Sequence, residues 1–73
     1  MNKLYLHKEI YLRTAVEETL HAFKNIAEIV LEESENYYCL IFNNCKADPY
    51  IATKEFGNYA LTLTIQSAGD LYD

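Results

Sequence analysis

Apolar and polar positions along the chain follow two periods, and the switches between them divide it into five elements. The segment KLYLHKEI sets Leu4 and Leu6 on one side and Tyr5 on the other, the two-residue period of a strand. Val16, Leu20, Phe23 and Ala27 then recur at the spacing of a helix with one buried side. A helix is therefore predicted from about Thr14 to about Asn25, with Ala15 and Leu12 extending the stripe toward an earlier start. Thr14 and Glu17 have the spacing of a capping box, in which the hydroxyl accepts from the Glu17 N–H and the carboxylate reaches back to the cap. Alternation returns in AEIVLEE, with Ala27, Ile29 and Leu31 on one face and Glu28, Val30 and Glu32 on the other, so one side is wet. SENY supplies a polar turn. YYCLIFN follows as the second arm of an antiparallel hairpin, and both of its faces are apolar: Tyr38, Leu40 and Phe42 alternate with Tyr37, Cys39 and Ile41. Such a strand is expected at the centre of a sheet. After the loop NNCKA, Asp48 stands as N-cap and Pro49 at the first helical position, and Gly69 is the expected stop of the last helix.

The order strand, helix, strand, strand, helix predicts an α+β, two-layer βαββα sandwich over residues 1–73, a single domain with both helices on one face of a three-stranded sheet. If the first strand pairs with the third, the arrangement is ferredoxin-like without its last strand, and the first strand is left with an open edge. Within the last helix, Ala52, Phe56, Tyr59, Ala60 and Leu63 form the stripe expected on the sheet. Tyr50, Ile51, Leu61, Ile65 and Ala68 widen the apolar arc beyond it. Burying one Leu or Ile contributes ~1.5–3 kcal/mol, a large share of the stability of so small a chain. The expectation is a homodimer or a partner packed on this helix. Gly57 inside the helix costs ~1 kcal/mol relative to Ala, which a close approach of another element would explain.

Composition narrows the functional classes. A chain of 73 residues buries only about 60% of its unfolded surface, a marginal core that a second copy can supplement. Six basic against eleven acidic residues give a net charge of -5, and the basic residues are scattered, which disfavours nucleic acid. No apolar run approaches the ~20 residues of a membrane span, and MNKLYLHKEIYLR has no apolar block of a secretory signal. A cytoplasmic chain with reduced thiols and no membrane partner is the reading.

Candidate chemistry is sparse. Cys39 and Cys45 are too far apart in sequence for a compact metal motif, and His7 and His21 are the only further nitrogen ligands, so no metal and no cofactor are expected. Cys39 reads as a buried strand thiol. Cys45, before a helix N-terminus whose dipole favours thiolate, carries the alternative reading of a small thiol-dependent enzyme or redox sensor. His21 has Glu17 one turn away, a solvated pair, and His7 reads as an exposed corner. Glu28, Glu32, Glu33 and Glu35 form an acidic edge along the hairpin, a solvated face that discourages edge aggregation or, alternatively, a site for a basic peptide. Phosphate loops, nucleophile elbows and zinc-hydrolase motifs are all missing from the sequence, so no catalytic residue is assigned.

Ile10 and Tyr11 before the first helix, the stretch AVEETLHAF within it, and Glu55, Phe56, Gly57 and Asn58 in the last helix carry a resemblance. By these motifs the chain resembles the small HxsD-like proteins of the His-Xaa-Ser system, which accompany radical S-adenosylmethionine enzymes and a repeat peptide. The resemblance implies an accessory protein of peptide modification. The combined expectation is a non-catalytic interaction module, dimeric, that binds a peptide or protein partner. Its expected carriers are Phe56, Asn58, Leu61 and Ile65 on the last helix together with Tyr5 on the first strand.

Overall fold

The computed structural model describes residues 2–72, with side chains described through residue 67. The chain runs β1 (Asn2–His7), α1 (Arg13–Ala22), β2 (Glu28–Glu33), β3 (Tyr37–Asn43) and α2 (Pro49–Tyr72). The sheet order is β1-β3-β2, and β3 is antiparallel to both neighbours. This is the α+β arrangement expected from the pattern, a ferredoxin-like sheet in which, among the described residues, no fourth strand lies beside β1.

Strand register follows from the alternation. Leu4 pairs with Leu40 and Leu40 with Leu31, so one face carries Leu4, Leu6, Tyr38, Leu40, Phe42, Ile29 and Leu31. Both helices cover this face. Leu6, Val16, Phe23, Ala27, Tyr38, Leu40, Phe42, Phe56 and Ala60 form one buried cluster between the layers. At its centre Phe56 meets Phe23 and Phe42 edge-to-face, with ring centroids 5.2 and 5.5 Å apart.

Several local expectations are corrected. Helix α1 starts at Arg13, with Leu12 as an N-cap that makes no side-chain bond, so Thr14 lies inside the first turn and the Thr14/Glu17 capping box does not form. The Leu12 N–H is instead taken by Thr64 Oγ1 of α2 at 3.2 Å, and that hydroxyl donates to its own helix at Ala60 O, so the cap is tertiary and not local. The helix ends at Ala22, short of Asn25, because the Ile26 N–H turns back to the Phe23 carbonyl and delivers Ala27 to the start of β2. Strand β1 stops at His7, whose carbonyl accepts the N–H groups of Ile10 and Tyr11; Ile10 is exposed in that turn. Asp48 caps α2 as expected, its Oδ1 accepting from the Tyr50 N–H at 2.8 Å. Gly69 does not end α2, which extends to Tyr72: glycine permits a left-handed stop but does not impose one.

The wide apolar arc of α2 closes in part. Ala52, Phe56, Ala60 and Thr64, spaced every fourth residue, are buried, while Leu61 and Leu63 are half-buried on the two flanks. Tyr59, expected on the sheet, is exposed and leans edge-on against Phe23. A Cβ on Gly57 would stand 3.9 Å from Leu4 Cδ2, so the helix does lie over β1 there, but at an ordinary contact distance that does not require glycine.

Candidate functional site

The sheet has a second face, and among the described residues no helix lies on it. Register assigns it Lys3, Tyr5 and His7 from β1, Tyr37, Cys39, Ile41 and Asn43 from β3, and Glu28, Val30 and Glu32 from β2. Tyr5 is 59% exposed, Val30 48% and Tyr37 41%, around half-buried Cys39 and Ile41. Part of this surface is a depression of about 250 Å³ lined by Lys3, Tyr5, Glu32, Glu33, Ser34, Tyr37 and Cys39. Tyr37 anchors its rim, edge-on to Tyr5 at 6.4 Å and to His7 at 4.8 Å. His7 is therefore not an exposed corner. It is half-buried, and its Nδ1 accepts the Glu9 N–H at 3.2 Å.

The free edge of β1 adjoins this face. The Lys8 N–H donates to the Asn36 carbonyl, which continues the β1–β3 ladder. In an antiparallel pair alternate residues turn both backbone groups to the neighbour. Leu6 and Leu4 share the parity of Lys8 and bond to β3, so the N–H and C=O groups of Lys3 and Tyr5 point outward from the sheet. The β2 edge differs. Its residues include Glu28, Glu32 and Glu33, charges that deter pairing with another backbone.

These carboxylates do not form one acidic strip. Glu28 and Glu32 belong to the open face and Glu33 to the helix-covered one. Arg13 Nη1 donates to Glu33 Oε1 at 2.6 Å, and Lys8 Nζ stands 3.3 Å from the same oxygen. The hydrogen bond from Arg13 is the main cause that holds the Glu33 carboxyl below its ordinary range, and the same bond raises the Arg13 guanidinium. Glu17 makes its ion pair with Arg13, at 3.9 Å, and not with His21. Glu28 accepts from Asn44 Nδ2 at 3.1 Å.

The residues expected to carry an interaction do not converge. Tyr5 is on the open face. Phe56 is fully buried and is a core residue, not a docking one, because its position one turn from both Ala52 and Ala60 points it at Phe42. Asn58 lines a shallow groove of about 540 Å³ along α2, with Phe23, Glu55, Tyr59, Thr62, Leu63 and Gln66. Leu61, a turn beyond Gly57, is half-buried on the flank over β1, and Ile65 projects outward, 61% exposed. Val30, Tyr37, Cys39 and Ile41 are the members of the exposed apolar surface that sequence reasoning did not select. The signal was present, since both faces of YYCLIFN are apolar.

Cys39 and Cys45 are both unbridged. Cys45 packs against the core cluster, half-buried, which is the setting of a structural thiol more than of a surface nucleophile. Among the described residues no group of three or more His, Cys, Asp or Glu comes together, and no helix is long and apolar enough to cross a membrane. No family model, no curated protein and no solved structure matches the chain at a significant level.

Proposed function

We propose that the protein is a non-catalytic interaction module that takes up an extended peptide segment as a fourth strand along β1. The observation that carries this reading is the edge itself: the backbone N–H and C=O groups of Lys3 and Tyr5 face outward, on a strand whose one charged residue is Lys3. An incoming strand would set alternate side chains under the flank of α2 that bears Gly57 and Leu61, next to Leu4, and the others beside Tyr5. Main-chain bonds supply affinity in this mode, and the two rows of side chains supply specificity.

The resemblance of Ile10–Tyr11, AVEETLHAF and Glu55–Asn58 to HxsD-like proteins supports a peptide partner and, with it, an accessory role in peptide modification. Ala15, Val16, Phe23 and Phe56 are buried and Tyr11 packs half-buried against the core, which gives those motif positions a structural role, so the peptide would be met by the edge and not by them.

Proline at Tyr5 tests the reading. Pro lacks the N–H that would bond the peptide, yet the Tyr5 N–H is not part of the β1–β3 ladder, so an edge strand can hold it. Random dodecapeptides displayed on phage are selected on the full chain, and the binders are titrated against wild type, Tyr5→Pro and Ile65→Asp. Each lost ladder bond is worth ~1 kcal/mol, so Tyr5→Pro is expected to weaken binding about fivefold or more, with Ile65→Asp unchanged. Binders that ignore Tyr5→Pro, or a selection that yields none, would refute it.

A further inference from the structure

We infer that a second copy of this chain covers the open face of the sheet, related by a two-fold axis that runs along β3. The outward backbone groups of β1 take no part in this contact and stay free; the Tyr5 side chain borders both surfaces, so the inference is read at Cys39 and at the Lys3, Glu28 and Glu32 charges, apart from the peptide reading.

The apolar content of the face asks for cover, and its charges say by what. Lys3 belongs to one outer strand, and Glu28 and Glu32 belong to the other. Register puts Lys3, Ile41 and Val30 in one row across the sheet, so the level of Lys3 falls midway between Glu28 and Glu32. An axis parallel to β3 lays β1 of one copy over β2 of the other with no shift along the strands. Each Lys3 then enters between the partner copy's two carboxylates, and this happens twice by symmetry. Ile41 meets its own copy across the axis, as does Cys39, with Tyr5 and Val30 closing the flanks.

An in-plane axis perpendicular to the strands lays β2 on β2, which crowds the Glu28 and Glu32 carboxylates of the two copies onto one strand pair with no Lys3 between them. Apposed like charges suppress a pairing that opposite charges favour, so the face selects the first arrangement. Aligned sheets pack about 10 Å apart and rotated by about 30°. At a strand about 4.8 Å off the axis, that rotation displaces Lys3 by less than one residue along β2, which leaves it between the two glutamates.

The size of the face sets the strength. Three strands about 4.8 Å apart and six residues of about 3.3 Å each span roughly 15 by 20 Å, well short of the ~800 Å² per partner of a standard interface. The pair is therefore a weak, dissociable one and not permanent.

Sedimentation of the full chain from ~5 μM to ~1 mM tests this, with dissociation constants read for wild type and charge variants. Wild type is expected to pass from one to two copies of the 8.5 kDa chain. Lys3→Glu is expected to raise the dissociation constant at least ~10-fold, and Lys3→Glu combined with Glu28→Lys and Glu32→Lys to bring it back. A bis-maleimide spanning about 10 Å should link two copies through Cys39, lost in Cys39→Ser and kept in Cys45→Ser. A chain that stays monomeric at ~1 mM overturns the inference. So does a dimer that tolerates Lys3→Glu but is broken by Ile65→Asp, which would assign the contact to α2.

Discussion

The central strand has two faces with nearly the same apolar content and opposite fates. Tyr38, Leu40 and Phe42 are buried beneath the helices, with Leu40 fully enclosed, whereas Tyr37 is exposed and Cys39 and Ile41 are only half-buried. A strand apolar on both sides is commonly taken as one covered on both sides. Here it is central only within the plane of the sheet, flanked by β1 and β2, and one layer of helices leaves its other side to water or to a partner. The two outer edges differ in a parallel way. β2 carries Glu28, Glu32 and Glu33, and β1 carries only Lys3, so one edge is guarded and the other is open.

The largest expected effect separates the two faces directly. Leu40→Ala should cost ~2–5 kcal/mol of unfolding free energy by opening a cavity in the buried cluster it shares with Val16, Phe42 and Phe56. Ile41→Ala, the next residue on the opposite face, should cost under ~1 kcal/mol in dilute solution, where no second copy is bound. Urea unfolding of both variants measures the difference, and equal losses would mean that the second face is covered within one chain.

A smaller effect probes how closely α2 lies on β1. Since a Cβ at residue 57 would meet Leu4 at an ordinary 3.9 Å, Gly57→Ala should stabilise the protein by up to ~1 kcal/mol through helix propensity alone. Destabilisation would mean the helix sits nearer the strand than this distance, and the edge groove is narrower.

The smallest effect concerns the ion-pair cluster on the helix-covered side. Because the folded Glu33 carboxyl is held below its ordinary 4.5 by Arg13, and secondarily by Lys8, its contribution to stability is complete above that value. It is lost as pH falls through the lowered folded value. The urea midpoint of wild type should therefore drop more between neutral and strongly acidic pH than that of Glu33→Gln. Identical drops would show the cluster to be thermodynamically silent, as many exposed pairs are.

Much of this architecture is legible from periodicity. Alternation in KLYLHKEI, AEIVLEE and YYCLIFN specifies the strands and the faces their residues share, and Asp48 with Pro49 specifies where α2 starts. What escapes is whatever depends on a distant neighbour. The Thr14/Glu17 pair has the spacing of a local cap, but the actual partner of the Leu12 N–H is Thr64, at the far end of the chain. Phe56 lies in a stripe that periodicity assigns to the sheet, correctly for Ala52, Phe56 and Ala60 and not for Tyr59; the motif around it suggests a docking residue, and the packing of Phe23 and Phe42 on its ring overrides the suggestion. Which side of β3 receives the helices is a third such case, since alternation within YYCLIFN makes its two sides equivalent and only its pairing with Leu4, Leu6, Ile29 and Leu31 marks the covered one.

Residue-resolved amide hydrogen exchange along β1 reaches the central claim most directly. In the free protein, Leu4 and Leu6 should exchange slowly and Lys3 and Tyr5 quickly, and a bound dodecapeptide should slow the latter two. Slow exchange at Lys3 and Tyr5 in dilute monomer, or no change there on binding, would contradict an open edge that works by taking up a strand.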